Sequence, residues 1–350
     1  MKPSNLKDIC FRHSVLTVFI APPSWGKTGL ILDIYRDNSI KILFVSPLRA
    51  LANEFYFRLV DEGLEDCYLI KKMGEKRSLF KRFITAKKSL LIITPEIMNS
   101  GILHEIGIVK EKVLIVLDEL HLFYYWGLNF RPALWENFMG VVNSGQPILG
   151  LSATFDESLI ESLKTDYDTF FGVEDLIFIN IGNQRLRKYP KRVILFPPKC
   201  LFFFKNSFKR RLLYQIKKER TGAILVFCRF RGEVDYWVQY LKERGHKVIG
   251  CKGGEVNAFL EEYRKVKNIR CIFTTSALSH GVNLLNISKV FFSYPVENRD
   301  LWFQMVGRAG RRGDDFEFYG YNSFLGKKGR FLVIVKAALY DFYIYVSSFW

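Results

Sequence analysis

One stretch near the start of the chain has the residue types and the spacing of a phosphate-binding loop. Residues 21–28 fit the pattern A/G-x-x-x-x-G-K-T between an apolar run and a helical pattern. In such a loop, backbone N–H groups and the start of a helix surround phosphate oxygens. Lys27 would neutralise the β- and γ-phosphates, and the Thr28 hydroxyl would hold Mg²⁺. The loop residues predicted to bind the nucleotide are Ala21, Pro22, Pro23, Ser24, Trp25, Gly26, Lys27 and Thr28.

Two features of this loop leave an alternative open. Ser24 and Trp25 stand at positions where small residues, often glycine, are usual, so the loop departs from the common pattern there. A chance match to the pattern is the alternative to nucleotide binding.

A pair of acids forms the second candidate for chemistry. The apolar residues 113–117 run directly into Asp118 and Glu119, which are followed by Leu120 and His121. A carboxylate at the tip of a strand can hold Mg²⁺ through water, and its neighbour can orient and deprotonate an attacking water. The alternative is a pair of acids that cap the next helix. The phosphate loop upstream favours the first interpretation.

Short apolar runs alternate with helical patterns along the chain and must position these residues. This alternation predicts parallel sheets covered by helices on both faces, whose ligands lie beyond the carboxyl ends of the strands. The predicted strands are residues 15–21, 40–46, 90–94, 113–117, 148–152, 223–228, 247–251, 271–274, 290–293, 318–321 and 331–335. The predicted helices are residues 27–35, 48–60, 208–218, 232–244, 255–266 and 301–307.

Length and charge indicate two domains and a polyanionic partner. The chain has 350 residues and a net charge of +17. Residues 1–183 hold 20 basic and 22 acidic residues, whereas residues 184–350 hold 32 and 13. The predicted linker at residues 181–198, rich in proline, separates domain 1–183 from domain 184–350. The basic residues that follow it indicate either a solvated face or a surface that contacts phosphates.

Cysteine usage and the termini bear on the cellular compartment. The six cysteines include no CxxC pair, which argues against a disulfide scaffold and a zinc site and favours an intracellular protein, cytoplasmic or nuclear. The first 21 residues imitate a signal peptide, but cleavage would fall inside the phosphate loop. Charged residues interrupt the apolar stretch 331–350, so we expect no membrane span. Its last part, residues 340–350, could instead dock a protein partner.

The phosphate loop together with Asp-Glu-Leu-His resembles the DExH-box helicases of superfamily 2. Further stretches are similar to motifs of that family and follow in the family's order. They are residues 46–54 (Ser-Pro-Leu-Arg-Ala-Leu-Ala-Asn-Glu, motif Ia), 94–96 (Thr-Pro-Glu, Ib), 152–154 (Ser-Ala-Thr, III), 274–284 (ending Gly-Val-Asn-Leu, V) and 304–313 (Gln-Met-Val-Gly-Arg-Ala-Gly-Arg-Arg-Gly, VI). The wording is most similar to the Ski-like branch, which includes RNA and DNA helicases.

The resemblance implies two tandem RecA-like α/β domains, each a mainly parallel sheet covered by helices, with ATP and Mg²⁺ in the cleft between them. It places Lys27, Thr28, Asp118 and Glu119 at the nucleotide, with Gly281 of motif V beside it. Arg308 and Arg311 would stabilise charge on the transferring phosphoryl group, and Gln304 would position the attacking water or the phosphate. Coupling of this site to the nucleic acid is implied for His121, Ser152 and Thr154.

The resemblance also implies a single-stranded nucleic acid as partner, with DNA slightly favoured over RNA. Hydroxyls, amides and N–H groups that face phosphates give a sequence-independent grip, although a structural role is the alternative for each residue. Runs of aromatic residues, including 124–126 and 316–321, could stack bases but are more often core. The residues implied to contact the strand are Arg49, Thr94, Arg131, Thr275 and Asn283.

We therefore expect an ATP-dependent helicase or translocase that moves on single strands and unwinds short duplexes. One alternative is an ATPase subunit that remodels a nucleoprotein complex without unwinding. Another is a nucleic-acid-binding module that does not hydrolyse ATP. No glutamine precedes Lys27, although many family members read adenine with one, so other nucleoside triphosphates stay open as substrates.

Overall fold

The structure is a computed structural model in which the chain divides into two compact units, Met1–Gln184 and Arg185–Trp350. It describes residues 3–13, 16–98, 100–108, 111–129, 131–155, 157–171, 176–196, 206–218, 222–279, 282, 284, 286–311 and 313–325.

The first unit is built on a sheet of seven parallel strands, in the order β3-β4-β2-β5-β6-β1-β7. The strands are β1 (Leu16–Ile20), β2 (Lys41–Val45), β3 (Cys67–Leu69), β4 (Ser89–Ile93), β5 (Val113–Leu117), β6 (Ile148–Ser152) and β7 (Leu176–Asn180). Strands β1, β2, β4, β5 and β6 are buried along their whole length, as expected when helices cover both faces of a parallel sheet.

The register of these strands brings their carboxyl ends to one edge. Val45 of β2 pairs with Ile93 of β4 and with Leu117 of β5, and Ile20 of β1 pairs with Ser152 of β6. The residues that follow these strands therefore share an edge, which we call the first carboxyl edge.

Eight helices of the described residues accompany this sheet. They are α1 (Pro3–His13), α2 (Lys27–Asp37), α3 (Arg49–Asp61), α4 (Lys76–Thr85), α5 (Ser100–Ile108), α6 (Leu120–Asn129), α7 (Pro132–Val142) and α8 (Glu157–Phe171). Alternate residues of β2 enter two separate cores: Leu43 and Val45 pack on one face of the sheet, and Ile42 and Phe44 on the other. This alternation is what the pleat of a strand requires when both faces are covered.

The second unit repeats the plan with six parallel strands, in the order β10-β11-β9-β12-β13-β8. They are β8 (Arg192–Leu195), β9 (Ala223–Phe227), β10 (Val248–Cys251), β11 (Cys271–Thr274), β12 (Ile287–Phe292) and β13 (Glu317–Gly320). The helices are α9 (Ser207–Lys218), α10 (Arg231–Lys242), α11 (Val256–Lys265) and α12 (Arg299–Val306).

Four neighbouring strands of this second sheet also end level. Cys251 of β10 pairs with Thr274 of β11, which pairs with Phe227 of β9, and Phe227 pairs with Phe292 of β12. We call the edge formed by the following residues the second carboxyl edge.

The predicted fold class is confirmed, with some differences in the elements. The predicted linker at residues 181–198 is wrong over Arg192–Leu195, which forms β8 and pairs with β13. Strands β3 and β7 were not predicted, since β3 has three residues and β7 is only partly buried. The aromatic residues Tyr124, Phe316 and Phe318 are buried in the cores. The predicted strand at 331–335 and the tail at 340–350 lie outside the described residues.

Across the part of the chain that the structure describes, no helix has both the length and the apolar character needed to cross a membrane.

Candidate nucleotide site and its connections

The phosphate loop joins β1 to α2 by a turn that uses left-handed backbone conformations. Ser24 has a φ of 64°, and Gly26, the N-cap of α2, has a φ of 110°. The Trp25 N–H donates to the Pro22 carbonyl at 3.1 Å and closes the turn. A glycine adopts such a φ without steric cost, which explains its place before Lys27. The turn thus leads directly into the N-terminus of α2, which is a favourable place for an anion.

The Trp25 side chain packs against the sheet, and the space beside Gly26 is open. The Trp25 ring packs edge-on against Phe19 of β1, with 5.3 Å between the ring centroids. A Cβ added at Gly26 would meet no atom within 4 Å. Pro22 and Pro23 carry no N–H, so the donors for a phosphate must come from later loop residues and from the first turn of α2.

Lys27 lies over the start of the loop. Its ammonium donates to the carbonyl oxygens of Ala21 and Pro22, at 3.0 and 3.4 Å. The Ala21 N–H in turn donates to the Ser152 carbonyl at 3.0 Å, which fixes the loop to the end of β6. Lys27 is also close enough to Asp118 for its charge to lower the pKa of that carboxyl.

The two acids lie at the tip of β5, at the same edge. The Asp118 N–H donates to the Val45 carbonyl at 3.0 Å. Burial raises the pKa of Asp118, and the neighbouring Glu119 carboxylate raises it further, while Lys27 opposes both. Glu119 has a φ of 48°, a left-handed conformation that is costly for a residue with a side chain. The strained residue directly follows Asp118 at the tip of β5.

A buried chain of polar contacts leads from the acids to motif III. His121 Nδ1 lies 3.6 Å from a Glu119 carboxylate oxygen and 2.9 Å from the Ser152 hydroxyl. That hydroxyl donates to the Thr154 carbonyl at 2.6 Å and accepts from the Thr154 N–H at 3.3 Å. Because the hydroxyl has one proton and gives it to Thr154, Nδ1 of His121 must be the donor in its bond to Ser152. All four side chains are buried.

Motifs Ia and Ib are connected by Arg131, which precedes α7. Its guanidinium donates to a Glu96 carboxylate oxygen from Nε at 2.7 Å and also from Nη2, and to the Pro47 carbonyl from Nη1 at 2.6 Å. Burial tends to raise the pKa of Glu96, but the hydrogen bond and charge of Arg131 outweigh it, and the pKa lies below its usual value. Asn137 of α7 donates to the Pro95 carbonyl at 2.8 Å. Arg131 is therefore engaged inside the first unit.

The other strand-contact candidates of the first unit differ in accessibility. Arg49 is exposed at the first position of α3, whereas Thr94 is buried directly after β4. Thr94 holds the turn of motif Ib through its carbonyl, which accepts from the Ile97 N–H at 3.0 Å. Of these two side chains, only that of Arg49 is accessible to solvent.

In the second unit, Thr275 follows β11 at the second carboxyl edge. Its N–H donates to the Cys251 carbonyl at 3.2 Å, and its hydroxyl accepts from the Ala277 N–H at 3.4 Å. Gly281 and Asn283, also predicted from motif V, lie outside the described residues.

The two arginines of motif VI have different surroundings. Arg308 is buried and donates from Nη1 to the Val282 carbonyl of motif V at 3.0 Å, and from Nε to the Gln304 carbonyl at 3.3 Å. Gln304 is buried as well. Arg311 is only partly buried and follows Gly310, whose φ is 66°. The structure thus makes Arg308 a tie between motifs V and VI and leaves Arg311 more accessible.

Gly310 is required by two independent features. An added Cβ would lie 2.9 Å from the Lys188 Cβ and 3.0 Å from the Phe316 ring. Its left-handed φ also disfavours any side chain. The sequence around Arg311 is therefore fixed by close packing as well as by backbone conformation.

The residues of the first carboxyl edge fit a magnesium nucleotide. The loop offers backbone donors and a lysine for phosphate oxygens, and the Thr28 hydroxyl and Asp118 carboxylate are the hard oxygen ligands that Mg²⁺ prefers. The joint ionisation of Asp118 and Glu119 is disfavoured by burial and mutual repulsion, and a divalent cation would relieve this.

Sequence reasoning missed several partners of these motifs. Glu96, Asn137 and Asn183 hold the motifs from positions distant along the chain, and Asn183 Oδ1 accepts from the Phe155 N–H next to motif III. Only Glu96 lay inside a recognised motif, so the sequence carried no signal for the other two.

Comparisons with known proteins find helicase similarity in both units of the chain. Residues 6–162 match the model for DEAD/DEAH box helicases, and residues 207–313 match the model for the helicase conserved C-terminal domain. The ATP-dependent DNA helicase RecQ of Haemophilus influenzae is 23% identical over 277 residues, which cover 77% of this chain and 42% of that protein. The chain spans less than half the length of the first curated relatives that it matches.

Two solved structures show the same fold. Mss116p bound to single-stranded RNA and AMP-PNP superposes with a TM-score of 0.67 at 15% identity, covering 89% of this chain and 67% of that chain. The helicase Lhr of Mycobacterium smegmatis, bound to single-stranded DNA and AMP-PNP, gives a TM-score of 0.63 at 17% identity, covering 91% and 45%.

Two parallel α/β units with a phosphate loop and paired acids at a carboxyl edge match the RecA-like units of helicases. Together with the two matching models and the RecQ relative, they show that the chain contains a superfamily 2 helicase core.

Proposed function

We propose that this protein is a nucleic-acid-stimulated ATPase that moves along single strands and separates short duplexes. The observation that supports this most is that Lys27 and the Asp118–Glu119 pair share the first carboxyl edge. Lys27 donates to the Ala21 carbonyl, and backbone hydrogen bonds fix Ala21 to the end of β6 and Asp118 to the end of β2. The buried contacts from Glu119 through His121 to Ser152 give the site a path to motif III.

The roles of the first-unit residues follow from their positions. Lys27 would exchange its two carbonyl acceptors for the β- and γ-phosphates, and the N–H groups at the start of α2 would bind the same oxygens. Thr28 and Asp118 would hold Mg²⁺, which neutralises phosphate charge when bound. Glu119, which follows Asp118 in a left-handed conformation, would orient the attacking water and accept its proton.

The residues of motif VI in the second unit are proposed to have different roles. We propose that Arg311 stabilises the negative charge that develops on the phosphoryl group, since it is the more accessible arginine of motif VI. Arg308 would keep motif V in place through the Val282 carbonyl, and Gln304 would support the same segment. Gly281 stays a proposed neighbour of the nucleotide.

The polymer is proposed to be a single strand bound through its phosphates. Arg49, Thr275 and Asn283 would supply sequence-independent contacts, while Arg131 and Thr94 would position motifs Ia and Ib. We favour DNA, because the RecQ relative of Haemophilus influenzae is described as a DNA helicase. The motif wording is Ski-like, but the RecQ relative leads us to propose the RecQ side of the superfamily. We also propose an intracellular setting, where ATP and such strands are available.

The decisive experiment is steady-state hydrolysis of ATP and of other nucleoside triphosphates by the full chain. It is run without polymer, with single-stranded DNA and with single-stranded RNA, at one stated low salt concentration, because strand affinity depends steeply on salt. We expect turnover to rise with a polymer, and the better polymer identifies the strand.

Two variants sharpen this experiment. Glu119→Gln should lower turnover by about 10²–10⁴-fold because it removes the proton acceptor, and should leave strand binding intact. Glu161→Gln, an exposed change on α8, is the matched control and should behave as the wild type. Turnover that survives Glu119→Gln, or no turnover with any polymer, would contradict the proposal. Turnover without strand separation would favour the remodelling ATPase instead.

A further inference from the structure

An aromatic side chain is exposed at the second carboxyl edge. This residue is Phe230, which lies two residues after Cys228, the residue that follows β9. Its side chain is 61% exposed, the highest value for a large apolar side chain among the described residues. A single exposed apolar residue is ordinary on a protein surface. Its local position and its neighbours are what make Phe230 informative.

Phe230 occupies a position where a phenyl ring weakens the fold. It is the N-cap of α10, with an extended backbone at φ −119° and ψ 152°. Serine, threonine, aspartate and asparagine are preferred there, because their oxygens accept from the first N–H groups of the helix, which a phenyl ring cannot do. The Glu233 carboxylate instead organises the turn, accepting from the Arg229 N–H at 2.8 Å and from the Phe230 N–H at 3.4 Å. Neither helix capping nor core packing accounts for the ring.

Two exposed arginines, Arg229 and Arg231, flank Phe230 in the sequence. The guanidinium carbon of Arg229 lies 5.4 Å from the centre of the Phe230 ring. Arg231 faces Glu255 at 3.2 Å in an exposed ion pair, an interaction that a polyanion can compete with at little cost. An aromatic face flanked by cations matches a nucleotide, whose base stacks while its phosphates meet the positive charge.

The ring also lies beside the proposed contacts to the strand. The Cys228 N–H donates to the Thr274 carbonyl at 2.7 Å, so the chain before Phe230 runs next to the chain that leads into Thr275. On the other side, the Ser293 hydroxyl after β12 donates to Glu233 at 3.2 Å. Neighbouring strands lie about 4.8 Å apart. The segments that lead into Phe230 and Thr275 are therefore neighbours at the second carboxyl edge.

We propose that Phe230 is a stacking platform for one base of the bound single strand, with Arg229 and Arg231 beside its phosphates. This proposal rests on the proposed function. It adds one contact to a base, whereas the other proposed contacts are to the sugar-phosphate backbone of the nucleic acid. The relevant ligand is a single-stranded nucleic acid with unpaired bases, and stacking tolerates every base because each has a flat face.

The test is fluorescence anisotropy of the full chain with a labelled single-stranded oligonucleotide. Phe230→Ser should raise Kd by about 5- to 150-fold, the range expected for one lost base–aromatic stack. Phe230→Trp should restore tight binding because it returns a flat ring. Phe57→Ser is the matched control, since Phe57 is 40% exposed on α3 with Lys71 5.7 Å from its ring, and it should bind as the wild type.

An abasic oligonucleotide of the same length separates stacking from backbone contacts. With it, Phe230→Ser should bind as tightly as the wild type, and the salt dependence of both should agree because no phosphate contact is lost. Phe230→Ser should also unfold at a higher temperature than the wild type, since serine caps α10. A lower affinity in a more stable protein excludes misfolding as the cause.

Two results would overturn the proposal while the proposed function stands. One is an unchanged Kd of Phe230→Ser for the base-bearing oligonucleotide, while the wild type shows polymer-stimulated ATP turnover. The exposed ring would then be a contact for a protein partner. The other is an equal loss of affinity for the abasic strand. A wild-type chain that binds neither strand would remove the proposed function together with this inference.

Discussion

The two sheets have the same parallel construction, but their carboxyl edges are equipped differently. At the first edge, Glu119, His121 and Ser152 are buried and connected in one chain of contacts. At the second edge, Arg229, Phe230 and Arg231 are exposed. The charge differs as well, with a net of −2 in residues 1–183 and +19 in residues 184–350.

This difference follows from what each edge is proposed to do. Hydrolysis requires groups held in a fixed geometry, and burial among close polar contacts provides this. Holding a polymer requires charge and flat surfaces that solvent-borne phosphates and bases can reach. The same scaffold can serve both purposes because the residues after the strands vary while the sheet does not.

The largest expected effect concerns a residue of the second unit that is proposed to take part in hydrolysis. Arg311→Ala in the second unit should lower ATP turnover by about 10³–10⁵-fold, as loss of an arginine that stabilises the transferring phosphoryl group does. Steady-state hydrolysis measures it, and retained binding of a fluorescent ATP analogue shows that the nucleotide still binds. Arg264→Ala, an exposed change on α11, is the control. Unchanged turnover of Arg311→Ala would confine the chemistry to the first unit.

The next effect concerns the packing that presents Arg311. Gly310→Ala should lower the free energy of unfolding by more than the about 1–2 kcal/mol that a left-handed residue costs, because its Cβ also meets Lys188. Gly254→Ala is the matched control, since Gly254 has a φ of 85° and open space around it. Chemical denaturation compares the two. Equal losses would show that close packing contributes nothing at Gly310.

A smaller effect tests the link from motif II to motif III. Ser152→Ala removes the hydroxyl that joins His121 to Thr154 and should reduce the stimulation of turnover by a single strand about 2- to 30-fold, the usual range for a coupling residue. Turnover without polymer should change less. Ser144→Ala is the control, because its hydroxyl bonds only to nearby backbone groups, donating to the Val141 carbonyl and accepting from the Gln146 N–H. Full stimulation in Ser152→Ala would show that coupling bypasses this path.

The smallest expected effect is a dependence of stability on pH at the Arg131–Glu96 pair. The folded pKa of Glu96 lies below its usual value, so the pair stabilises the protein above the unfolded pKa of about 4.3 and loses this as pH falls through the folded pKa. At neutral pH the free energy of unfolding of the wild type should exceed that of Glu96→Gln by about 0.5 kcal/mol. The difference is small because the pair is partly exposed.

This difference in the free energy of unfolding should disappear in acid. Chemical denaturation at several pH values measures it, and the exposed change Glu75→Gln is the control. A gap that persists at low pH would mean that the charge of Glu96 is not what stabilises the pair.

The sequence predicted what is local and missed what joins distant segments. The loop around Lys27 and the acids after β5 are contiguous, and continuous apolar runs marked their strands. The contact of His121 with Ser152 spans 31 residues, and that of Arg131 with Glu96 spans 35. Spacing along the chain carries no information about such pairs. Strand β8 was taken for a linker because prolines and basic residues surround it.

The most direct test of the account is ATP turnover measured against single-strand concentration for the wild type, Glu119→Gln and Phe230→Ser. The account predicts that Glu119→Gln loses maximal turnover while its strand Kd, measured by anisotropy, is unchanged. It predicts that Phe230→Ser reaches the wild-type maximum only at higher strand concentration. A lowered maximum at saturating strand in Phe230→Ser, or near-normal turnover in Glu119→Gln, would contradict the division between the two edges.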